Sequence, residues 1–160
     1  MKTLAESLLA PHRRDAVMKD AVSLVETHVG SRGGLRGVSL KTGLAMLKTA
    51  KPGIVDRAVQ RLLPEFVEAL EPLYIEFRES RNRDFGTFLV QHSERAAIAL
   101  LAVSDAHAGK ASAAVQSAYA RLRGAAEAEL AAAMPALSRL MRTHLENRPE
   151  PGASGPAHEE

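Results

Sequence analysis

Apolar residues recur at intervals of three and four along almost the whole chain, and this spacing is typical of amphipathic helices. The alternation of apolar and polar residues that marks strands is missing, and β-branched residues are sparse. We therefore predict an all-α fold, a helical bundle of about six helices. The predicted helices cover residues 13–29, 38–50, 54–63, 64–79, 94–107 and 112–145, with short turns of helix at 3–9 and 85–92.

Glycine and proline residues punctuate this pattern. Gly30 and Gly109 each follow a histidine by two positions, and both are predicted to end a helix in the left-handed conformation. The segment Lys51-Pro52-Gly53 is a strong helix breaker. Pro135 lies inside a long apolar stripe, so it is predicted to bend the last helix without ending it.

The punctuation also indicates an internal repeat. Residues 41–46 read like residues 116–121, and a proline-interrupted apolar run follows each of them. We predict pseudo-repeats at about 8–79 and 85–146, which form two helical-hairpin halves related by a pseudo-twofold axis. Chance similarity between Ala- and Leu-rich helices is the alternative interpretation.

The length of 160 residues suits one domain whose core needs neither disulfide nor metal. We predict a single helical domain over residues 1–146. Residues 147–160 are rich in Pro and Gly and are predicted to form a disordered tail. The absence of Cys excludes thiol chemistry, and an aromatic content of 4% provides poorly for stacking on nucleobases.

Membrane insertion and polyanion binding are not favoured by the sequence. The longest apolar stretch, residues 96–103, is far shorter than a membrane span, and no signal peptide is visible. We therefore expect a cytoplasmic protein without a transmembrane segment. Residues 1–63 carry 11 Lys and Arg against five Asp and Glu. Because no single face concentrates this charge, a nucleic-acid partner is not expected.

The glycine-rich segment 30–37 precedes Lys41 and invites comparison with a phosphate-binding loop. It lacks the Gly that should directly precede the Lys, and no strand leads into it. A weaker interpretation is an anion site, in which Arg32, Arg36 and Lys41 surround a helix N-terminus. A flexible linker with solvated arginines is the alternative.

The six histidines show no spacing that would bring two of them to one metal. His28 and His107 lie in predicted last helical turns, where an imidazole can bond the free carbonyl groups. We predict no catalytic residue, no metal site and no cofactor.

The segment from Pro64 to Phe77 is unusually apolar for one helix. It could line a pocket for an apolar ligand or form a dimer surface, and a central core helix is the alternative interpretation. The residues assigned to this surface are Phe66, Leu70, Leu73, Tyr74 and Phe77.

Three segments carry a signature: residues 51–66 (KPGIVDRAVQRLLPEF) followed by Ala69-Leu70, the opening Leu8-Leu9-Ala10-Pro11, and Asp84-Phe85-Gly86. This signature resembles that of a family of small, uncharacterised, all-helical bacterial proteins. The resemblance spans about residues 4–145 and implies an all-helical cytoplasmic protein. It implies no activity, ligand or catalytic residue.

The sequence thus favours a non-enzymatic interaction or scaffold protein that forms a homodimer. A binding module for an apolar small molecule or a lipid surface is the alternative. An enzyme is the least favoured class, because no set of residues has the spacing that a catalytic site requires.

Overall fold

The computed structural model describes residues 3–146, and all regular structure in this range is helical. This confirms the predicted all-α class, with eight helices in place of about six. Six of the eight are long, and α1 and α5 are short. The helices are α1 (Leu4–Leu8), α2 (Arg14–Ser31), α3 (Gly34–Ala50), α4 (Ile54–Glu79), α5 (Phe85–Gln91), α6 (Ser93–Ala108), α7 (Ala113–Ala132) and α8 (Met134–Glu146). The tail predicted at 147–160 lies outside the described residues.

Prolines act differently from the prediction in two places. The predicted boundary at Pro64 is wrong, because α4 continues through both Pro64 and Pro72 as one helix of 26 residues. Burial of its apolar side outweighs the hydrogen bonds that two prolines remove. The predicted continuous helix over 112–145 is wrong too, since α7 ends at Ala132 and α8 begins at Met134. Pro135 then lies in a first helical turn, where its missing N–H costs nothing.

The glycines predicted as left-handed caps adopt other conformations. Helix α2 passes through Gly30 and ends at Ser31, and Gly109 caps α6 with an ordinary right-handed φ of −63°. Positive φ falls instead on Gly34, at 72°, and on Gly53, at 77°. A non-glycine residue at either position would be strained. The tight α2–α3 corner therefore depends on Gly34.

Helix packing follows a regular scheme. The most extensive contact is that of α3 with α7, and α2 and α6 pack against α3 and α7 respectively. Helix α1 packs on α4, and α5 packs on α8. Helix α4 also packs on α6, as α2 does on α8. The largest side chains that are fully buried in this core are Leu4, Leu8, Val17, Leu89 and Met134.

An aromatic cluster joins α4 to α5. The Tyr74 and Phe85 rings meet edge to face with centroids 5.0 Å apart, and the Phe77 and Phe85 centroids are 5.4 Å apart. Phe88 extends the cluster towards His92, whose ring stacks on it at 4.2 Å. These contacts fix the joint between the first four helices and the last four.

A buried polar group ties the start of the chain to its last described helix. Arg13 is only 8% exposed, and its guanidinium donates to the carbonyl oxygens of Ser7, at 3.3 Å, and of His144. The His144 ring bonds in turn to Asp20 through Nε2, 2.6 Å from Oδ2. These bonds satisfy polar groups that burial would otherwise make costly.

Candidate functional site

A buried carboxylate lies where α7 meets the α2–α3 corner. Glu129 is 6% exposed, and its side chain faces His28, Arg32 and Arg36. His28 Nε2 is 2.9 Å from Oε1, and Arg32 approaches both oxygens, with Nε at 2.9 Å and a terminal nitrogen at 3.1 Å. Arg36 is more distant, at 3.4 Å. We call these four residues the Glu129 cluster.

The local sequence explains how one imidazole and two guanidinium groups reach one carboxylate. His28 lies in the last turn of α2, Arg32 follows its end, and Arg36 lies in the first turn of α3. The turn between them is close, because Gly37 lies directly against the Arg32 carbonyl and leaves no room for a Cβ. The corner therefore presents its basic side chains inward, on the side that α7 covers.

The electrostatics of the cluster keep Glu129 ionised. Burial alone would raise the pKa of Glu129, but the hydrogen bonds from His28 and Arg32 outweigh it and lower the pKa below the usual value. Two guanidinium groups share this one negative charge. The Arg32 side chain is 35% exposed and that of Arg36 is 55% exposed, so the corner shows surplus positive charge to solvent.

Apolar residues occupy the opposite side of the same corner. Leu35 is 90% exposed and Val38 is 62% exposed. Exposed residues continue along α3 at spacings of three and four, so they share one helix face. The α3 outer face consists of Leu35, Val38, Thr42, Ala45 and Thr49.

Only two of the three residues predicted for an anion site lie close together. Arg32 and Arg36 meet on Glu129, so a carboxylate of the chain itself lies between them. Lys41 is exposed further along α3, at the edge of the α3 outer face. Binding of an external anion by these three residues stays a prediction.

The residues predicted for an apolar ligand or dimer surface lie against the core of the chain. Leu70 and Leu73 are 2% and 3% exposed. The other three residues pack half-buried beside them: Phe66, Tyr74 and Phe77. This packing is the one expected for a core helix, the alternative interpretation of this segment. An exposed apolar residue of the same segment is Ile75, at 42%.

A shallow groove of about 420 Å³ runs between α6 and α7. The Asp105 carboxylate accepts hydrogen bonds from the Tyr119 hydroxyl, at 2.6 Å, and from Arg123 Nε, at 3.0 Å. These bonds lower the pKa of Asp105, and burial, helped by Asp105, raises the pKa of Tyr119. Neither group is suited to proton transfer near neutral pH. The groove is lined by Asp105, Ala108, Gly109, Gln116, Tyr119, Ala120, Arg123 and Gly124.

Three histidines form separate pairs with carboxylates: His28, His107 and His144. His28 and His107 were expected to bond carbonyl groups of their own helices. Instead, His28 Nε2 bonds to Glu129, and His107 Nε2 bonds to Glu65 Oε2 at 2.7 Å. Among residues 3–146, no group of three or more His, Asp or Glu side chains could hold a metal ion. Within the same range, no helix is both long and apolar enough to cross a membrane.

Sequence reasoning missed Glu129 and the α3 outer face. Glu129 lies seven residues after Leu122 and four after Ala125, and this helical spacing would have predicted that Glu129 lies on the packed side of α7. The exposure of Leu35 and Val38 had no such signal, since it depends on which side of α3 faces α7.

Residues 3–146 thus form an all-helical fold in which several charged residues are joined in pairs across helices. The chain belongs to the family described as a family of unknown function, DUF6918, whose model matches residues 4–145. This confirms the resemblance drawn from the sequence. No curated protein and no solved structure matches the chain.

Proposed function

We propose that this protein is a non-enzymatic interaction protein that self-associates through the exposed side of α4 and α6. One observation carries the proposal. Ile75, 42% exposed, and Ile98, 54% exposed, lie one and three residues along the chain from the two members of an ion pair that joins the helices. Glu76 and Arg95 form this pair, with both guanidinium nitrogens bonded to the carboxylate, one of them at 3.0 Å. We call these four residues the α4–α6 face.

The chemistry of this face suits a second copy of the same chain. It carries one positive and one negative group side by side, with an exposed isoleucine near each in the sequence. A twofold arrangement would set Arg95 of one copy against Glu76 of the other while burying the isoleucines. The complementary charges favour an identical partner over a strongly acidic or basic one.

The state of the carboxylates supports a role without catalysis. Asp84, Asp105 and Glu129 all have pKa values below the usual range, because each accepts hydrogen bonds from cationic or hydroxyl groups. A general acid needs a carboxyl whose pKa is raised towards neutrality. These groups serve instead to hold helices together.

The helix packing supports the proposal that the chain is an internal duplication. Each half has one short helix followed by three long ones. The contact of α1 with α4 corresponds to that of α5 with α8, and α2 on α8 corresponds to α6 on α4. Helix α3 packs on its own counterpart, α7. A pseudo-twofold axis through the α3–α7 contact accounts for this correspondence. We propose a cytoplasmic location, as the family resemblance implies.

Light scattering coupled to gel filtration tests self-association. We expect a dimer at tens of micromolar for the natural chain. Ile98→Glu is expected to be a monomer, because a charge would be buried in the interface. The control is Leu35→Glu, which places the same charge at a more exposed apolar position on α3, 90% against 54%, and is expected to leave the dimer intact. A strictly monomeric natural chain would contradict the proposal.

A further inference from the structure

We propose a second interaction surface: the α3 outer face docks on an anionic lipid surface, with the basic residues around it contacting the lipid phosphates. This surface lies on a different helix from the α4–α6 face, so a result against one proposal leaves the other unaffected. In this arrangement α3 lies on the lipid surface without crossing it.

The geometry of α3 provides a continuous stripe. Its members follow one another at spacings of three, four, three and four, which keeps them on one side of a helix. From Leu35 to Thr49 the stripe is about 21 Å long, at 1.5 Å per residue. Its large apolar side chains, Leu35 and Val38, lie at the corner end, and the small residues Thr42, Ala45 and Thr49 continue it. The buried residues of α3 lie on the other side, where the helix meets α7: Gly37, Leu40 and Gly43.

This stripe is unusual because the first turns of α3 are apolar on both sides. A helix that is apolar all round is normally covered on all sides. In the described part of the chain, other helices cover the side with Leu40, yet Leu35 and Val38 remain largely in solvent. Exposed apolar residues beside charged ones are typical of helices that lie in a membrane interface.

The charge on α3 identifies the kind of partner. The helix carries Arg36, Lys41 and Lys48 and no acidic residue. Lys41 and Lys48 are seven residues apart and follow one edge of the stripe, while Arg36 is turned towards Glu129 on the α7 side. Lys48 also contacts Glu26 of α2 at 3.0 Å, on the exposed surface. A lipid surface that contains acidic phospholipids offers both negative phosphates for the two lysines and an apolar interior for Leu35 and Val38.

The same charge argues against a second copy of the chain on this face. Packing two α3 helices through their outer faces would bring basic residues together with no acidic residue on either helix to balance them. The α4–α6 face differs in this respect, since it carries both signs of charge.

The Glu129 cluster gives the docking corner a fixed shape. Glu129 holds Arg32 and Arg36 on either side of Leu35 in the sequence, so the α2–α3 corner is anchored to α7. Fixing the corner before binding reduces the conformational entropy that docking would cost.

Vesicle co-sedimentation of the full chain tests the proposal. The probes are vesicles of phosphatidylcholine alone and of phosphatidylcholine mixed with phosphatidylserine. We expect binding to the mixed vesicles only, and we expect it to weaken as salt rises from about 0.1 M to about 1 M, where the Debye length falls from roughly 10 Å to 3 Å. Leu35→Glu is expected to weaken binding roughly tenfold or more, because an inserted side chain becomes charged. Ile98→Glu, the matched control, should bind like the natural chain.

A tryptophan probe adds a direct measurement of insertion. The natural chain has no Trp, so Leu35→Trp and Ile98→Trp each carry a single indole. Emission from Leu35→Trp is expected to shift to shorter wavelength with mixed vesicles, and emission from Ile98→Trp is not. Circular dichroism checks that each variant is folded.

Several results would overturn this proposal. One is a natural chain that stays in the supernatant with both kinds of vesicle. Another is equal binding by Leu35→Glu, or equal emission shifts from both tryptophan variants. A third is dissociation of the dimer by Leu35→Glu without any vesicle binding, which would make the α3 outer face a protein interface.

Discussion

Gly86 in α5 lies directly against the backbone of Ser138 in α8. A β-carbon placed on Gly86 would come within 2.8 Å of the Ser138 carbonyl oxygen and 3.1 Å of its Cα. Real β-carbons essentially never approach another atom within 3.0 Å, and a backbone cannot rotate away as a flexible side chain can. The close packing of α5 on α8 therefore requires glycine at this position.

We expect Gly86→Ala to lower the free energy of unfolding by about 1–3 kcal/mol, because α5 must move away from α8. The comparison is Gly124→Ala in α7, where a β-carbon meets nothing within 4 Å. That substitution is expected to raise stability by about 1 kcal/mol through helix propensity. Urea unfolding of both variants measures the difference. Equal effects of the two substitutions would contradict the close contact.

Glu129 is expected to be coupled energetically to Arg32. Glu129→Gln should lower the free energy of unfolding by about 1–3 kcal/mol, since it removes the buried charge that pairs with Arg32 and bonds to His28. A double-mutant cycle with Arg32→Gln should give a coupling energy of about 1 kcal/mol. Lys41→Gln is the control, because Lys41 lies on the exposed side of α3, and its cycle with Glu129→Gln should give almost none. Similar coupling in both cycles would rule out the Glu129 cluster as a local unit.

Asp84 should make stability depend on pH in the acid range. Burial alone would raise its pKa, but hydrogen bonds from Thr87 and Arg142 lower the pKa from 3.8 to about 2. A lowered folded-state pKa means that the carboxylate stabilises the fold fully above about pH 4 and progressively less as pH falls towards 2. After allowance for solvent screening, this contribution is about 1 kcal/mol.

Asp84→Asn isolates the charge, because asparagine can still cap α5. Its deficit in unfolding free energy against the natural chain should therefore shrink as pH falls from about 5 to about 2. Asp84→Ala loses the cap as well, and this adds a deficit of about 1 kcal/mol that does not change with pH. Urea unfolding across this pH range measures both. A deficit for Asp84→Asn that is constant with pH would show that its charge is not involved.

Leu4 is expected to matter for stability although it lies near the start of the chain. Its side chain is 0% exposed, and its backbone N–H donates to Glu71 Oε1 at 2.9 Å. Leu4→Ala should therefore cost about 2–4 kcal/mol. Val90→Ala, at a position 42% exposed, is the control and should change stability by less than about 1 kcal/mol. Thermal unfolding of both variants would decide, and a neutral Leu4→Ala would mean that α1 is not part of the core.

The sequence predicts most of the helices because their signals are local. The apolar spacing needs only a few neighbouring residues, and so do the N-caps that the structure shows at Asp84 and Ser112. The helix boundary at Pro64 was predicted wrongly because whether a proline ends a helix depends on how much of the rest of that helix, here α4, is buried. The left-handed conformation was predicted at Gly30 but occurs at Gly34. Which glycine adopts it depends on the direction in which α3 must leave the corner to reach α7.

The candidate sites were harder to predict because they join residues far apart in the sequence. The distance between His28 and Glu129 is set by the packing of α3 on α7, which no local pattern contains. The sequence drew attention to Arg32 and Arg36 through their glycine-rich surroundings, but it could not show that their anion is Glu129. In the same way, Leu35 is indistinguishable from a core leucine until the side of α3 that faces α7 is known.

The aromatic cluster has a practical consequence for spectroscopy. The chain has two Tyr and no Trp. Tyr74 lies in the cluster between α4 and α5, with the Arg78 guanidinium 5.1 Å from its ring centroid, and Tyr119 lies in the α6–α7 groove. Tyr119→Phe therefore leaves one tyrosine chromophore that reports the closure of α4 on α5, and Tyr74→Phe leaves one that reports the groove. The natural tyrosine absorbance and emission can thus be divided between two known places without any added label.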